Sequence, residues 1–248
     1  MSRIKDALSR ARHRSLTVEK LGLTTYRREM PTVLNYKRIY EFRHQGTHQE
    51  KRQAVWNVIS KFIHVRLGLP KKVLDPAAGL CEFISASPAE ERWAIDSVEF
   101  PEALRSSGIK FVLSDAMEAD LPANHFDGVF VSNFLEHLPS PEAVAVFLLK
   151  MKNCMASGGR IAILGPNFKF CMKEYFECAD HTLILTEVSV AEHLYAAGFE
   201  IETNLPRFIP YSFRSRLPAS PGFVKLYLRL PLLWRFLGKQ FLVIARKP

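Results

Sequence analysis

Cysteine is scarce in this sequence, and its spacing excludes two structural classes. The 248 residues hold 4 cysteines, at positions 81, 154, 171 and 178, with no C-x-x-C pair among them. That is too sparse for a disulfide framework and matches no paired-thiolate zinc motif. The four read as free thiols in a reducing compartment. A continuous apolar run is missing from residues 1–30, MSRIKDALSRARHRSLTVEKLGLTTYRREM, which are basic and polar and match no secretory signal. A cytoplasmic protein is expected. No internal repeat or low-complexity tract appears either.

Acidic residues are absent from one long segment. Residues 205–239 carry 7 Lys/Arg and no Asp/Glu, whereas residues 53–204 carry 12 basic against 20 acidic side chains, a net −8. Residues 1–52 add 13 basic against 5 acidic, a net +8, within an overall charge of +9. An acidic middle between basic flanks describes a soluble core with attachments that meet something anionic.

Glycine is thin where a nucleotide site would need it. The stretch VLDPAAGLCEF (73–83) reads as a strand running into a nucleotide-binding turn, yet it holds only Gly79 where such turns usually hold two or three glycines. Around it, periodicity supplies the architecture. Residues 50–67 place Val55, Trp56, Ile59, Phe62, Ile63 and Arg66 at three- and four-residue spacing, an amphipathic helix stopped by Gly68 and Pro70. Strand-like runs follow at 72–75, 92–96, 110–115, 127–133 and 159–167. Between the last two, Ser140 caps a helix with Pro141 at its first position, and Gly158 and Gly159 are expected to end it. Thr186 caps another helix that ends at Gly198. The run at 239–247 is expected to pair with 199–203. Strands alternating with helices predict an α/β fold: a Rossmann-like doubly wound sheet, mostly parallel with an antiparallel last strand, and helices on both faces.

In such sheets, ligands bind beyond the carboxyl ends of the strands. Those ends here are Asp75, Asp96, Asp115 and Asn133. The set resembles the class I S-adenosylmethionine-dependent methyltransferases, of the broad group that includes small-molecule and ubiquinone-pathway enzymes. VLDPAAG looks like the first motif of that family and WAIDSVEFPEAL like the second. FVLSDAMEADLPANHFDGVFVSNFLEHLPSPEA is similar to the third and fourth, and KNCMASGGRIAILGPN to the fifth. The likeness covers residues 71–204. It implies S-adenosylmethionine as cofactor and S-adenosylhomocysteine as product. It places Gly79 and the backbone at Ala77 and Ala78 against the methionine part, with Asp75 holding the loop and the amino group. Asp96 would accept from the ribose hydroxyls, Asp115 would hold the adenine amino group with Ala116 also in the cofactor site, and Asn133 would lie beside the methionine.

The sequence departs from the family pattern D-x-G-x-G-x-G in reading DPAAGLC. Glycine is required only where φ is positive or a β-carbon would collide with the ligand, and S-adenosylmethionine has no pyrophosphate to cradle. The loop is therefore expected to bind. A Rossmann dehydrogenase is disfavoured because no G-x-G-x-x-G follows the first strand.

Candidate catalytic residues are His137, beside Glu136 in NFLEHLP, and His181, beside Asp180 in the loop after the fifth strand. Each could instead be a locally bonded turn residue. Metal ligation by Cys171, Cys178 and His181 is the weaker reading, and no metal is expected. The acceptor is expected to be a small molecule, lipid-linked intermediate or glycan, methylated at oxygen. An RNA methyltransferase and a noncatalytic module of the same fold are the alternatives.

Four regions follow. Residues 1–49 form a basic extension, in which Tyr36, Tyr40, Arg43 and His44 could close over the site. Residues 50–204 form the cofactor-binding core, 205–239 a basic aromatic insertion, and 240–248 the final strand. The insertion suits an anionic membrane face, the inner face for a cytoplasmic protein, or a pair of short helices with solvated arginines; nucleic acid is the weakest of its three readings. Oligomeric state is not legible.

Overall fold

A computed structural model describes residues 34–45, 49–99, 108–210 and 220–248. The basic segment 1–33, residues 100–104 of the second motif with 105–107 after it, and Arg214 and Arg216 of the insertion lie outside them. The chain divides into two compact units, Met1–Arg43 and His44–Pro248. The described part of the first is essentially helix α1 (Tyr36–His44), begun by the Asn35 side chain, which accepts from the Arg38 amide at 3.1 Å. Within it the Arg43 guanidinium lies over the Tyr40 ring.

The second unit begins with α2 (Gln49–Arg66) and β1 (Lys72–Asp75), followed by α3 (Glu82–Ala86), β2 (Glu91–Asp96), β3 (Ile109–Leu113) and β4 (Phe126–Ser132). A 3-10 turn (Leu135–His137) precedes α4 (Pro141–Cys154), β5 (Met155–Pro166), α5 (Phe168–Tyr175), α6 (Glu187–Ala196) and β6 (Glu200–Leu205). Helices α7 (Pro221–Arg229) and α8 (Pro231–Leu237) then lead to β7 (Gln240–Arg246). The seven strands form one sheet in the order β3-β2-β1-β4-β5-β7-β6. The first five run parallel, while β7 is antiparallel to both β5 and β6. The expected fold class and the expected pairing of the last strand are both observed.

Alternation along the strands sorts the core onto two faces. Leu74, Ile95, Val129, Val131, Ile161, Ile163 and Val243 pack with residues of α4 and α6, whereas Val73, Ala94, Phe130, Ala162, Leu164 and Ile244 pack with α2, α3, α7 and α8. Central strands covered on both sides are apolar at nearly every position, and β7 is buried from Gln240 through Ala245. In α2 the buried residues include Val55, Trp56, Ile59 and Ile63, the stripe read from spacing. Its last member, Arg66, stays exposed and lays its guanidinium over Phe62.

Two boundaries differ from expectation. Helix α4 begins as predicted, with the Ala143 amide donating to Ser140 Oγ at 3.2 Å, but it ends at Cys154, and β5 starts at Met155. Gly158 and Gly159 therefore lie within a strand. Phe126 pairs with Met155 and Gly128 with Arg160, so β5 loops out between these pairs, and Gly158 takes φ +78° there. The third strand also stops at Leu113, leaving Asp115 in the turn beyond it. Thr186 caps α6 as expected, in a reciprocal box with Ser189.

Candidate active site

The first bend carries the most constrained chemistry. Asp75 ends β1, is only 3% exposed, and its Oδ1 has no hydrogen-bond partner among the described residues. Burial pushes its carboxyl up to about 8, opposed by the Ala77 backbone and reinforced by the neighbouring charge of Asp96. A buried acceptor without a donor is costly. A cationic amino group is the partner that would satisfy it, so this residue fits the methionine end of S-adenosylmethionine.

Asp96 ends β2 and braces the same bend. Its Oδ2 accepts from the Gly79 amide at 2.9 Å and its Oδ1 from the Val98 amide at 2.9 Å. Burial raises its pKa, and these backbone donors work against that rise. Each carboxylate oxygen accepts more than one bond, so acceptor capacity toward a diol remains. The Ala78 amide adds a bond to the Ile95 carbonyl at 2.9 Å. Ala77 and Ala78 both sit half-buried in the bend.

The missing glycines can now be placed. Gly79 takes φ +53°, so the retained glycine stands where left-handed backbone is needed. The third glycine position of the family pattern is Cys81, and it too is left-handed, at φ +56°, at the N-cap of α3. Its side chain is 1% exposed, and burial among Asp75, Asp96 and Glu82 pushes the thiol pKa up. Helix α2 latches the bend from outside. Arg52 grips the buried Glu82 through two bonds, 2.6 and 2.8 Å, while Ser60 Oγ donates to the Phe83 carbonyl at 3.0 Å.

Asp115 is exposed and accepts from the Met117 amide at 2.7 Å, a turn-forming bond, with Ala116 buried behind it. Asn133 is exposed at the tip of β4. It has φ +48° and donates its side-chain amide to Ser132 Oγ at 3.0 Å. Asp96 and Gly79 are thus joined by a direct hydrogen bond, and Asp75 lies close enough to feel the charge of Asp96. Asp115 and Asn133 share the same carboxyl edge of the sheet.

The two histidines named from sequence meet. The rings of His137 and His181 lie 4.9 Å apart, edge to face, although 43 positions separate His137 from Asp180. His137 Nδ1 stands 3.0 Å from the Asp180 carbonyl oxygen and 3.4 Å from Asp180 Oδ2. The loop holding His181 is fixed by the Glu136 carbonyl, which accepts from the amides of Thr182 and Leu183 at 2.8 and 3.1 Å. This convergence was not legible in the sequence. By contrast, Cys171 turns its thiol to the Asn167 carbonyl at 3.0 Å. Tyr36, Tyr40 and Arg43 belong to the first unit.

The insertion contains two helices built around buried Tyr227, Leu228 and Trp234. Tyr227 OH donates to the Phe208 carbonyl at 2.6 Å, and Trp234 packs edge-on against Phe62 of α2. The outer face leaves Leu226, Leu230, Leu232 and Phe236 exposed. No helix among the described residues is long and apolar enough to cross a membrane.

Residues 74–163 match a family model described as a methyltransferase domain. No curated protein sequence matches the chain. A SAM dependent methyltransferase from Archaeoglobus fulgidus is similar in structure, with TM-score 0.56 and 20% identity over 86% of this chain and 100% of that one. The 1,6-didemethyltoxoflavin-N1-methyltransferase of Burkholderia thailandensis, solved with its substrate and S-adenosylhomocysteine, gives 0.52 and 20% over 86% and 88%. The cyclase SpnF gives 0.55 and 17% over 77% and 80%. These identities speak for the fold, and a cyclase among the matches shows that the fold alone does not choose the reaction. Residues 74–163 thus match a methyltransferase domain, and the chain shares its fold with solved S-adenosylmethionine-dependent methyltransferases.

Proposed function

We propose that this chain transfers the methyl group of S-adenosylmethionine to an oxygen of a small-molecule, lipid-linked or glycan acceptor bound beside the tip of β4. The observation that carries the reading is the buried Asp75 carboxyl group, whose Oδ1 has no hydrogen-bond partner among the described residues, next to the Asp96–Gly79 brace. Asp75 takes the cofactor's amino group, Asp96 its ribose, and Gly79 with Ala77 and Ala78 gives the chain room to approach. Asp115 and Ala116 border the adenine, and Asn133 the methionine. In the transfer, the bond from sulfur to methyl breaks as the bond from acceptor oxygen to methyl forms. S-adenosylhomocysteine leaves, and the hydroxyl proton must be taken up. Positioning does most of this work; His137, oriented by Asp180, and His181 form the polar wall facing the acceptor.

Calorimetric titration with S-adenosylhomocysteine tests the cofactor half, with binding expected in the wild type and lost in Asp96→Ala. Transfer of labelled methyl to a panel of hydroxylated acceptors tests the other half. Tight cofactor binding with no turnover across the panel would leave the noncatalytic module as the better account, and label appearing in RNA would favour the nucleic-acid enzyme.

A second reading concerns α7 and α8. Exposed Leu226, Leu230, Leu232 and Phe236 beside Lys225, Arg229 and Arg235 combine apolar area with positive charge, which suits an anionic membrane surface. It predicts flotation with anionic liposomes, weakened by salt and by Leu232→Ser with Phe236→Ser. Unchanged flotation in that variant would remove this surface from consideration.

A further inference from the structure

Three side chains with metal-ligand chemistry, arriving from two separate loops, meet just beyond β4. One donor atom from each of Glu136, His137 and His181 lies within 4.8 Å of the other two. We propose that these residues form a binding site for a divalent first-row transition cation.

The donor set selects the ion class. Two imidazoles and one carboxylate suit zinc, manganese, iron, cobalt or nickel, whereas calcium and magnesium take oxygen ligands. Glu136 is 1% exposed, and a carboxylate held out of water is stabilised by positive charge beside it. His137 is pre-oriented: its Nδ1 donates to the Asp180 carbonyl at 3.0 Å, which leaves the ligand lone pair on Nε2. A carbonyl or carboxylate behind an imidazole is the support that metal-bound histidines carry. The Asp180 carboxylate, 3.4 Å from the same nitrogen, reinforces it.

The two loops are held together by more than the cluster itself. Thr182 Oγ1 donates to the Leu138 carbonyl at 2.5 Å and the Thr182 amide to the Glu136 carbonyl at 2.8 Å. Tyr175 packs its ring 4.8 Å from His181 and donates its hydroxyl to the Leu183 carbonyl at 2.6 Å. With bonds of about 2.1 Å, donors in a tetrahedral site stand about 3.4 Å apart, so ligation from separations of up to 4.8 Å requires the side chains to close by at most about 1.4 Å. The 20% exposure of the His137 side chain gives an ion its way in.

The proposal deepens the acceptor reading and rests on it for its catalytic meaning. Three protein donors leave at least one coordination position, which an acceptor hydroxyl fills. Bound there, the hydroxyl becomes more acidic and loses its proton to solvent before the methyl moves. His137 then acts as a ligand through Nε2 and is not the proton acceptor.

The test uses full-length protein stripped with EDTA and titrated with Zn2+ and with Co2+, with S-adenosylhomocysteine titrated in parallel. One equivalent of each metal is expected to bind, Co2+ with visible ligand-field bands. His181→Gln and Glu136→Gln are each expected to lose at least about tenfold in affinity, and Asp180→Ala to lose less. Cys171→Ser and Cys178→Ser should leave the titration unchanged. Circular dichroism checks folding; if buried Glu136→Gln does not fold, the half-buried His181→Gln carries the test. No binding by folded wild type overturns the proposal, as does binding that survives both His137→Gln and His181→Gln or that moves with the cysteine variants. Metal uptake is read without donor or acceptor, so the two readings fail separately. A cation bound without S-adenosylhomocysteine binding refutes the methyltransferase account and leaves the site; the converse refutes the site alone.

Discussion

The amide of Gly79 donates to Asp96 Oδ2 at 2.9 Å, tying the turn after β1 to the acid that ends β2. The residue proposed to take the ribose therefore also shapes the loop proposed to approach the methionine. Asp96→Ala removes both functions. S-adenosylhomocysteine affinity is expected to fall by more than about tenfold, since hydrogen bonds to charged groups contribute about 1.5–3 kcal/mol. Asp96→Asn, which keeps one oxygen, should lose less. Equal losses in the two variants, measured by calorimetry, would count against the bracing role.

Asp75 links binding to pH. Its folded-state pKa is pushed from 3.8 up to about 8, so between these values the folded chain keeps a proton that the unfolded chain releases. The stability this supplies is complete below about pH 4 and lost as pH rises toward 8. Asp75→Asn removes the dependence, so its melting temperature relative to wild type should climb between pH 5 and pH 8. Cofactor affinity should move the other way. In wild type it rises over the same range, as the carboxylate forms to meet the ammonium group, and in Asp75→Asn it is weaker and flat. Parallel pH profiles for the two proteins would sink the assignment.

Cys81 occupies a left-handed conformation at φ +56° with its side chain in the core. A glycine there relieves about 1–2 kcal/mol of backbone strain and forfeits a small buried group, so Cys81→Gly should fold with nearly unchanged stability and keep S-adenosylhomocysteine binding. A β-branched residue should not be tolerated. Cys81→Val is expected to lower the melting temperature by several degrees; a variant as stable as wild type would contradict the geometry.

Arg52 and Glu82 test the latch. Their pair is largely buried, at 14% and 9% side-chain exposure, so Arg52→Ala leaves a desolvated carboxylate and should cost about 3–5 kcal/mol. Adding Glu82→Gln to that variant is expected to recover much of the loss. Denaturant melts of the set decide it, and a double variant no better than Arg52→Ala alone would show that the pair is not the reason.

Thiol chemistry offers a simpler check. Cys81, Cys154 and Cys171 are buried and Cys178 is partly exposed; burial pushes the Cys154 and Cys171 thiols up to about 12. An aromatic disulfide reagent should therefore modify Cys178 first in native protein, and Cys178→Ser should abolish the fast phase.

What could be read from sequence was whatever local chemistry dictates. Ser140 and Thr186 announced their helices because caps are local, and Asp75 and Asp96 were legible as strand ends because each closes an apolar run. The end of α4 was misplaced because Gly158–Gly159 resembles a helix stop, and only the looped-out pairing with β4 shows that the pair belongs to a strand. Cys81 had a signal, its place in the third glycine position of the family pattern, but its left-handed backbone could not be inferred from a cysteine. The approach of His137 to Asp180 and of Arg52 to Glu82 depends on how distant segments pack. No periodicity reports that.

Strand β7 lies between β5 and β6, and so the sheet's interior is completed by the element that comes last among the strands. A nascent chain that has reached only β6 has no lateral seat for it, and β5 presents a bare row of amides and carbonyls. This half of the sheet is therefore complete only when residues 240–246 are seated against both neighbours.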